Sequence, residues 1–214
     1  MYGRYQEIMQ HGGFERGISQ FMNDLEIEVP VHPYIIDIGC GTGVVGATLC
    51  SLHPNAQIIF TDIRERFVLW ALKKAKIAWF EMSSVGWLLD VNFPKEITLL
   101  TQEREKRVDS ILQQDTFDII TLWAVLGYSQ DIERSLTQIG WLLKPGGTLI
   151  NLEMNGNIIA RSVSRQYKYR RPPIEKILEI TEAFGDSQVM HFNASHFPAN
   201  LTRTGIVTKK RKIS

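Results

Sequence analysis

The sequence predicts an α/β fold in which a mostly parallel sheet carries helices on both faces. Short apolar runs, typical of buried strands, alternate along the chain with amphipathic segments of helical spacing. The first apolar run, Tyr34 to Ile38, passes directly into glycines at every second position, Gly39, Gly41 and Gly43. A segment of good helix formers follows, so the loop leads into a helix N-terminus, which favours anionic ligand groups. Strand, glycine turn and helix together are typical of half a nucleotide-cofactor site.

Hydrophobic periodicity assigns the remaining elements in chain order. Ile18, Phe21, Met22 and Leu25 have helical spacing and predict an N-terminal helix that packs beside the first strand or covers the cofactor as a lid. We expect further strands at 57–61, 97–101, 117–123 and 148–153, and helices at 64–80, 131–143 and 174–184. Residues 81–96 contain glycine and proline breaks and predict a loop, and the charged stretch 103–112 predicts a solvated helix.

The composition of the chain excludes several classes of protein. The chain has 214 residues with 24 Lys and Arg against 23 Asp and Glu, a net charge of +1, so it is not a polycation built for nucleic acid. No stretch approaches the apolar length of a membrane span, and two cysteines are too few for a disulfide framework. We expect a single domain in the cytoplasm, with a nuclear location left open, and no membrane association.

Four landmarks occur in a characteristic order: D-I-G-C-G-T-G at 37–43, an acidic residue at 62, F-D-I-I-T-L-W at 117–123, and L-L-K-P-G-G-T-L-I at 142–150. Together they resemble the class I S-adenosylmethionine-dependent methyltransferases. The resemblance covers residues 34–153, the cofactor-binding half, and implies a Rossmann-like sheet of seven strands with a C-terminal antiparallel hairpin at 188–192 and 204–210. It implies one methyltransferase domain over 1–214, with a helical lid at 1–33 and a substrate-side half at 154–214.

The resemblance also implies S-adenosylmethionine as cofactor and a role for individual residues. Asp37, Gly39, Gly41 and Gly43 would line its methionine part. Asp62 would bind the ribose hydroxyls and Ile63 would pack on the adenine. Glu103 would accept from the adenine amino group, and Trp123 and Ala124 would lie near the sulfonium. No metal ligands are assigned.

Candidate catalytic residues are fewer. Tyr128 occupies the place where many small-molecule methyltransferases of this family have a histidine-containing segment, so it is a candidate for orienting the substrate. His191 and His196, near the last hairpin, have unperturbed pKa values suited to a general base.

A basic segment follows the fifth strand. Arg161, Arg165, Lys168, Arg170 and Arg171 are interleaved with tyrosines, among them Tyr167. In this fold the segment lies at the carboxyl ends of the strands, where ligands bind. Basic and aromatic residues together suit phosphates and stacked bases. The sequence therefore favours an anionic or nucleotide-containing acceptor, with RNA included.

Three alternatives stay open beside that interpretation. One is a small-molecule O- or N-methyltransferase, and another is a non-catalytic subunit that keeps the fold as a partner of a second methyltransferase. The third is an NAD-dependent oxidoreductase, because Gly41, Gly43 and Gly46 also fit the dinucleotide fingerprint and Asp62 lies 21 residues beyond Gly41. Asp37 before the glycines and the L-K-P-G-G turn at 143–147 count against the third.

Overall fold

The computed structural model describes residues 13–77, 84–100 and 107–212. Its helices are α1 (Phe14–Asp24), α2 (Val44–Leu52), α3 (Glu65–Ile77), α4 (Ile132–Leu142), α5 (Ile158–Gln166) and α6 (Ile174–Glu182). Its strands are β1 (Tyr34–Ile38), β2 (Gln57–Asp62), β3 (Ser84–Leu89), β4 (Glu96–Leu100), β5 (Arg107–Ile111), β6 (Phe117–Trp123), β7 (Leu143–Met154), β8 (Gly185–His191) and β9 (Arg203–Lys210). The α/β class is confirmed.

The described strands form one mixed sheet in the order β5-β4-β3-β2-β1-β6-β7-β9-β8. Neighbours from β3 through β7 are parallel, whereas β4 and β5 at one edge and β9 and β8 at the other pair antiparallel. The chain runs from β1 outward to β2 and β3, and later returns to β6 on the other side of β1. Ligands of open α/β sheets bind beyond the carboxyl ends of the strands at such a reversal of strand order.

Successive residues of the central strands alternate between two apolar clusters. In β1, Ile35 packs with α1, α2 and α3 on one face, whereas Ile36 packs with α4 and α6 on the other. Ile58 and Ile59 of β2 repeat the alternation, and all four side chains are buried. Each contributes about 1.5–3 kcal/mol through removal of apolar area from water. Burial on both faces explains why these strands are continuous apolar runs in the sequence.

The prediction for the third parallel strand was wrong. Residues 84–89, predicted as part of a loop, form β3 beside β2, whereas the predicted strand at 97–101 runs antiparallel as β4. Gly86 resembled a break, but α3 requires it. A Cβ there would lie 2.4 Å from Val68 Cγ1 and 2.7 Å from Leu72 Cδ1. The glycine lets α3 approach the sheet closely.

The prediction of a helix over the charged stretch 103–112 was also wrong for residues 107–112, the part that the structure describes. Arg107–Ile111 pairs with β4 as the edge strand β5, and residues 101–106 lie outside the described part. Pairing with β4 satisfies the backbone groups that a solvated helix would satisfy internally. With this extra hairpin the described sheet has nine strands instead of the predicted seven.

The C-terminal hairpin and the flanking helices follow the sequence prediction. β9 returns antiparallel beside β7, β8 pairs with β9, and α6 precedes the hairpin. In α1, Ile18, Phe21 and Met22 are buried against the sheet face that α2 covers. Within residues 13–77, 84–100 and 107–212, no helix is both long and apolar enough to cross a membrane.

Candidate functional site

A cavity of about 500 Å³ opens at the carboxyl edge of the parallel strands, where the strand order reverses. Phe14 of α1 reaches it from the N-terminal side. The end nearer β1 to β3 is lined by Ile38, Gly39, Gly41, Asp62, Ile63, Arg64, Phe67, Leu89, Asp90, Val91 and Asn92. The end nearer β6 and β7 is lined by Trp123, Ala124, Val125, Tyr128, Met154, Ile159, Val163, Gln166, Tyr167, Tyr169, Thr202 and Arg203.

The glycine loop after β1 offers backbone to the cavity in place of side chains. Gly39 and Gly41 both line it, with positive φ angles of 70° and 52°. A Cβ on Gly39 would lie 2.8 Å from Val125 Cγ2. Gly43 lies behind the cavity at the start of α2, where a Cβ would lie 2.6 Å from Ala71 Cα. The loop therefore needs glycine both for its conformation and for its close packing.

Asp37 lies beneath the loop and is fully buried. Its Oδ1 accepts a hydrogen bond from Thr121 Oγ1 at 2.7 Å, and its Oδ2 accepts from the backbone N–H of Gly46 in α2 at 3.2 Å. Burial raises the pKa of Asp37 to about 6, against the lowering effect of these two hydrogen bonds. The side chain thus joins β1, β6 and α2 and supports the loop from below.

Asp62 ends β2 and lines the cavity. Its Oδ2 accepts from the N–H of Gly41 at 3.3 Å, and its Oδ1 accepts from the N–H of Arg64 at 3.0 Å. Burial raises the pKa of Asp62 to about 6, while these backbone hydrogen bonds lower it. Next to it, Ile63 is 62% exposed and gives the same wall an apolar surface. The carboxylate fixes the turn into α3 and remains part of the cavity wall.

Asp90, which the sequence analysis missed, follows the third parallel strand and lines the cavity. Its Oδ1 accepts from both the backbone N–H and the side-chain Nδ2 of Asn92, each at 2.9 Å. The predicted Glu103 lies outside the described residues. Its assignment assumed a parallel strand at 97–101, and that strand, β4, runs away from this edge. The sequence pattern that could have identified Asp90 is the apolar run W-L-L at residues 87–89, which the aspartate follows directly.

The other end of the cavity is mostly apolar. Trp123 ends β6, Met154 ends β7, and Ile159 approaches from the first turn of α5. Tyr128 and Tyr167 also line this end, and Tyr128 Oη donates to the backbone oxygen of Tyr167 at 3.3 Å. The wall suits a carbon-rich ligand held in one orientation by a few polar groups.

A buried pair, Glu153 and Tyr169, underlies this end. Glu153 is fully buried near the end of β7, and its Oε2 accepts a hydrogen bond from Tyr169 Oη. Burial raises the pKa of Glu153 to about 7, against the lowering effects of the Tyr169 hydrogen bond and the Arg203 charge. Burial and the neighbouring Glu153 charge raise the pKa of Tyr169, so the phenol stays protonated. Gly127 packs on the tyrosine ring, since a Cβ there would lie 2.5 Å from its Cζ. The pair fixes the turn after α5 to the sheet.

Neither histidine predicted as a base lines the cavity. His196 is 2% exposed; its Nδ1 accepts from the N–H of Asn193 at 2.9 Å, and its Nε2 lies 2.8 Å from Asp24 Oδ2. With Nδ1 as acceptor, Nε2 carries the proton and donates to Asp24. This hydrogen bond holds the pKa of Asp24 below its usual value. His196 thus fastens α1 to the C-terminal segment, whereas His191 is exposed at the end of β8.

The basic segment lines an open groove of about 510 Å³, called the basic groove below. Its lining residues are Arg161, Ser164, Arg165, Lys168, Tyr169, Arg170 and Arg171. Tyr169 also lines the cavity, so the two concavities share a wall. The structure therefore brings all five predicted basic residues together beside the cavity, while Tyr167 lines the cavity itself.

Most of the predicted cofactor residues meet at one end of the cavity. Gly39, Gly41, Asp62 and Ile63 line that end, Trp123 and Ala124 line the other end, and Asp37 and Gly43 support the loop from behind. S-Adenosylmethionine would need backbone N–H groups for its carboxylate, an acidic side chain for its ribose hydroxyls and an apolar surface for its adenine. The side chains therefore fit this cofactor. In the described part of the chain, no group of three or more His, Cys, Asp or Glu residues could hold a metal ion.

Sequence reasoning missed several wall residues because their role depends on tertiary placement. They are Phe14, Arg64, Phe67, Asp90, Asn92, Val125, Met154, Ile159, Val163, Gln166, Thr202 and Arg203. Glu153 could have been found from the sequence, because it ends the apolar strand pattern T-L-I-N-L-E, where a carboxylate is unusual.

Comparisons with the sequences and structures of known proteins support the family resemblance. A model of the methyltransferase domain matches residues 36–149. The chain is 33% identical over 128 residues to a hybrid PKS-NRPS synthetase of Penicillium citrinum, covering 59% of this chain and 3% of that protein. It is 25% identical over 154 residues to a demethylmenaquinone methyltransferase of Symbiobacterium thermophilum, covering 71% of this chain and 54% of that protein. The chain therefore spans only part of the length of these relatives.

Among solved structures, the chain resembles an O-methyltransferase family protein from Burkholderia thailandensis. The TM-score is 0.66 at 13% identity, covering 97% of this chain and 58% of that one. At this identity the likeness establishes the fold alone.

Proposed function

Because the chain belongs to the class I S-adenosylmethionine-dependent methyltransferases, we propose that it transfers a methyl group from that cofactor to a small anionic acceptor. The observation that carries the proposal is one continuous cavity. Its first end holds the glycine loop and Asp62, and its second end holds the aromatic wall around Trp123. A cofactor at the first end and an acceptor at the second would meet within this one cavity.

The cofactor supplies an electrophilic methyl group together with its own leaving group, so the protein contributes alignment and exclusion of water. Gly39 and Gly41 would bring backbone N–H groups to the carboxylate of the methionine part. Asp62 would exchange the long 3.3 Å hydrogen bond from Gly41 for the ribose hydroxyls. Asp90 would take the adenine contact first assigned to Glu103, with Ile63 packed on the ring.

Two features support a small acceptor. The second end of the cavity is enclosed by apolar side chains of β6, β7 and α5, and Phe14 of α1 reaches the cavity from the N-terminal side. This position of Phe14 supports the predicted role of residues 1–33 as a lid, which would keep water from the reacting groups. The adjoining basic groove supports an acceptor with negative charge.

The test is a transfer assay with S-adenosylmethionine that carries a tritiated methyl group. 4-Hydroxybenzoate and 4-hydroxyphenyl phosphate serve as small acceptors, and total RNA serves as the competing class. We expect label in a small acceptor and little in RNA. Label in RNA alone would contradict the proposal that the acceptor is a small molecule. Label in neither class would contradict methyl transfer to a small anionic acceptor.

A matched pair of variants locates the acceptor. Ile159→Glu introduces a charge into the apolar wall, whereas Ile158→Glu changes the neighbouring residue, which is 83% exposed and does not line the cavity. We expect Ile159→Glu to abolish transfer while S-adenosylhomocysteine still binds, because a charge in an apolar site excludes the acceptor. Ile158→Glu should retain transfer; equal loss in both variants would contradict the assigned position of the acceptor.

A further inference from the structure

We propose that the basic groove binds a phosphoryl group of the acceptor, with Arg165 and Lys168 as its principal contacts. The inference rests on the proposed function for the reaction itself, and it adds a second binding site and a chemical class for the acceptor. The reacting end of the acceptor would lie in the cavity, and its phosphoryl end would lie in the groove on the other side of Tyr169.

The groove concentrates positive charge, and none of the described residues that line it is acidic. Five cations occur between Glu153 and Glu175, and no acidic residue lies between those two positions. Elsewhere in the described ranges, lysines reach carboxylates: Lys74 pairs with Glu15, Lys144 with Asp118, and Lys210 with Asp115. Like charges held close together repel, and a bound anion removes that repulsion.

Three of the five cations are already held in place. Arg161 Nε donates to the backbone oxygen of Gly156 at 3.0 Å, and Arg171 Nη1 donates to the backbone oxygen of Asn155 at 3.2 Å. Arg170 Nη2 donates to the backbone oxygen of Ser129. A carbonyl contact fixes a guanidinium without neutralising its charge, so these groups are oriented before an anion arrives.

The other two cations are available for a ligand. In the described part of the structure, no hydrogen bond or ion pair engages the side chain of Arg165 or that of Lys168. Both are exposed, Arg165 in the last turn of α5 and Lys168 in the turn after it. Arginine binds phosphate oxygens through two parallel N–H groups, and lysine binds them as a point charge.

The position of Tyr169 connects the groove to the cavity. Tyr169 is 5% exposed, its hydroxyl donates to Glu153, and Gly127 packs against its Cζ. A wall fixed in this way sets a constant separation between the two concavities. The groove is local to α5 and the turn after it, which suits one phosphoryl group better than an extended nucleic-acid strand.

The experiment is calorimetric titration of the full chain with inorganic pyrophosphate and, separately, with S-adenosylhomocysteine. The test variant is Arg165→Gln with Lys168→Gln, which alters the two cations whose side chains form no hydrogen bond or ion pair in the described part of the structure. The matched control is Lys73→Gln with Lys176→Gln, which removes the same charge from exposed positions on α3 and α6. A single-stranded RNA oligonucleotide is titrated in parallel.

We expect the test variant to weaken pyrophosphate binding by about tenfold or more, because charge-assisted contacts are lost. The control should change it by less than about twofold, as for exposed charges in general. Equal weakening in both variants, or no pyrophosphate binding to the wild type, would overturn the groove site. RNA binding lost in the test variant while pyrophosphate fails to bind would overturn it in favour of an RNA surface. S-Adenosylhomocysteine binding reports on the proposed function independently, since it should be unchanged in both variants.

Discussion

We expect Glu153 to make the stability of the fold depend on pH, and the variant Glu153→Gln tests this expectation. The carboxyl group is fully buried, and burial raises its pKa from 4.5 to about 7. The folded state therefore binds the proton more tightly than the unfolded state. Stability from this group is fully present below about pH 4.5 and is lost as the pH rises through about 7. The difference of about 2.5 pH units, at about 1.36 kcal/mol each, gives a loss of up to about 3 kcal/mol.

Glutamine keeps the shape of the side chain and an oxygen that can accept from Tyr169 Oη, but it does not ionise. We expect urea unfolding from about pH 4.5 to pH 8 to give a rising free-energy difference in favour of Glu153→Gln. The pH dependence of Asp37 and Asp62 cancels in this difference because both proteins contain them. Glu182→Gln, on the exposed side of α6, controls for removal of a surface carboxylate. A difference between wild type and Glu153→Gln that stays constant with pH would refute the reasoning.

Three further changes test other parts of the structure. Gly46→Ala should destabilise the fold by about 1–3 kcal/mol in urea unfolding, because the added Cβ would lie 2.4 Å from Cε1 of Phe60 in β2. Gly156→Ala should leave the stability unchanged, because no atom lies within 4 Å of a Cβ at that position. Asp90→Ala should weaken S-adenosylhomocysteine binding about tenfold by calorimetry, whereas Glu96→Gln, exposed on β4, should leave it unchanged. Lys210→Met should lower the free energy of unfolding by about 2–4 kcal/mol, because its Nζ donates to one carboxylate and two backbone oxygens, and an unchanged value would contradict that role.

The cofactor end of the site could be predicted because its chemistry is local in sequence. Gly39 and Gly41 follow directly on an apolar strand, and Asp62 ends the next strand, so strand periodicity alone places them at one edge. Asp90 was missed for a physical reason. Its identification depends on which strand runs parallel beside β2, and Gly86, which resembles a break in the sequence, lies within that strand where α3 packs closely.

The acceptor end could not be predicted in the same way, because its residues are brought together by tertiary contacts. Glu153 and Tyr169 are 16 residues apart, and their hydrogen bond exists only because α5 folds back over the end of β7. His196 is the converse case. Its ring nitrogens form hydrogen bonds with Asn193 and Asp24, and the local sequence does not predict the contact with Asp24, which is 172 residues away.

Binding of S-adenosylmethionine and S-adenosylhomocysteine by calorimetry tests the central claim most directly, with NAD as the control ligand. The account predicts micromolar binding of the first two, strongly weakened in Asp62→Ala, and no binding of NAD. Retention of full affinity in Asp62→Ala would contradict the assignment of the ribose contact. Binding of NAD alone, or of none of the three, would contradict the account of the cavity as a methyl-transfer site.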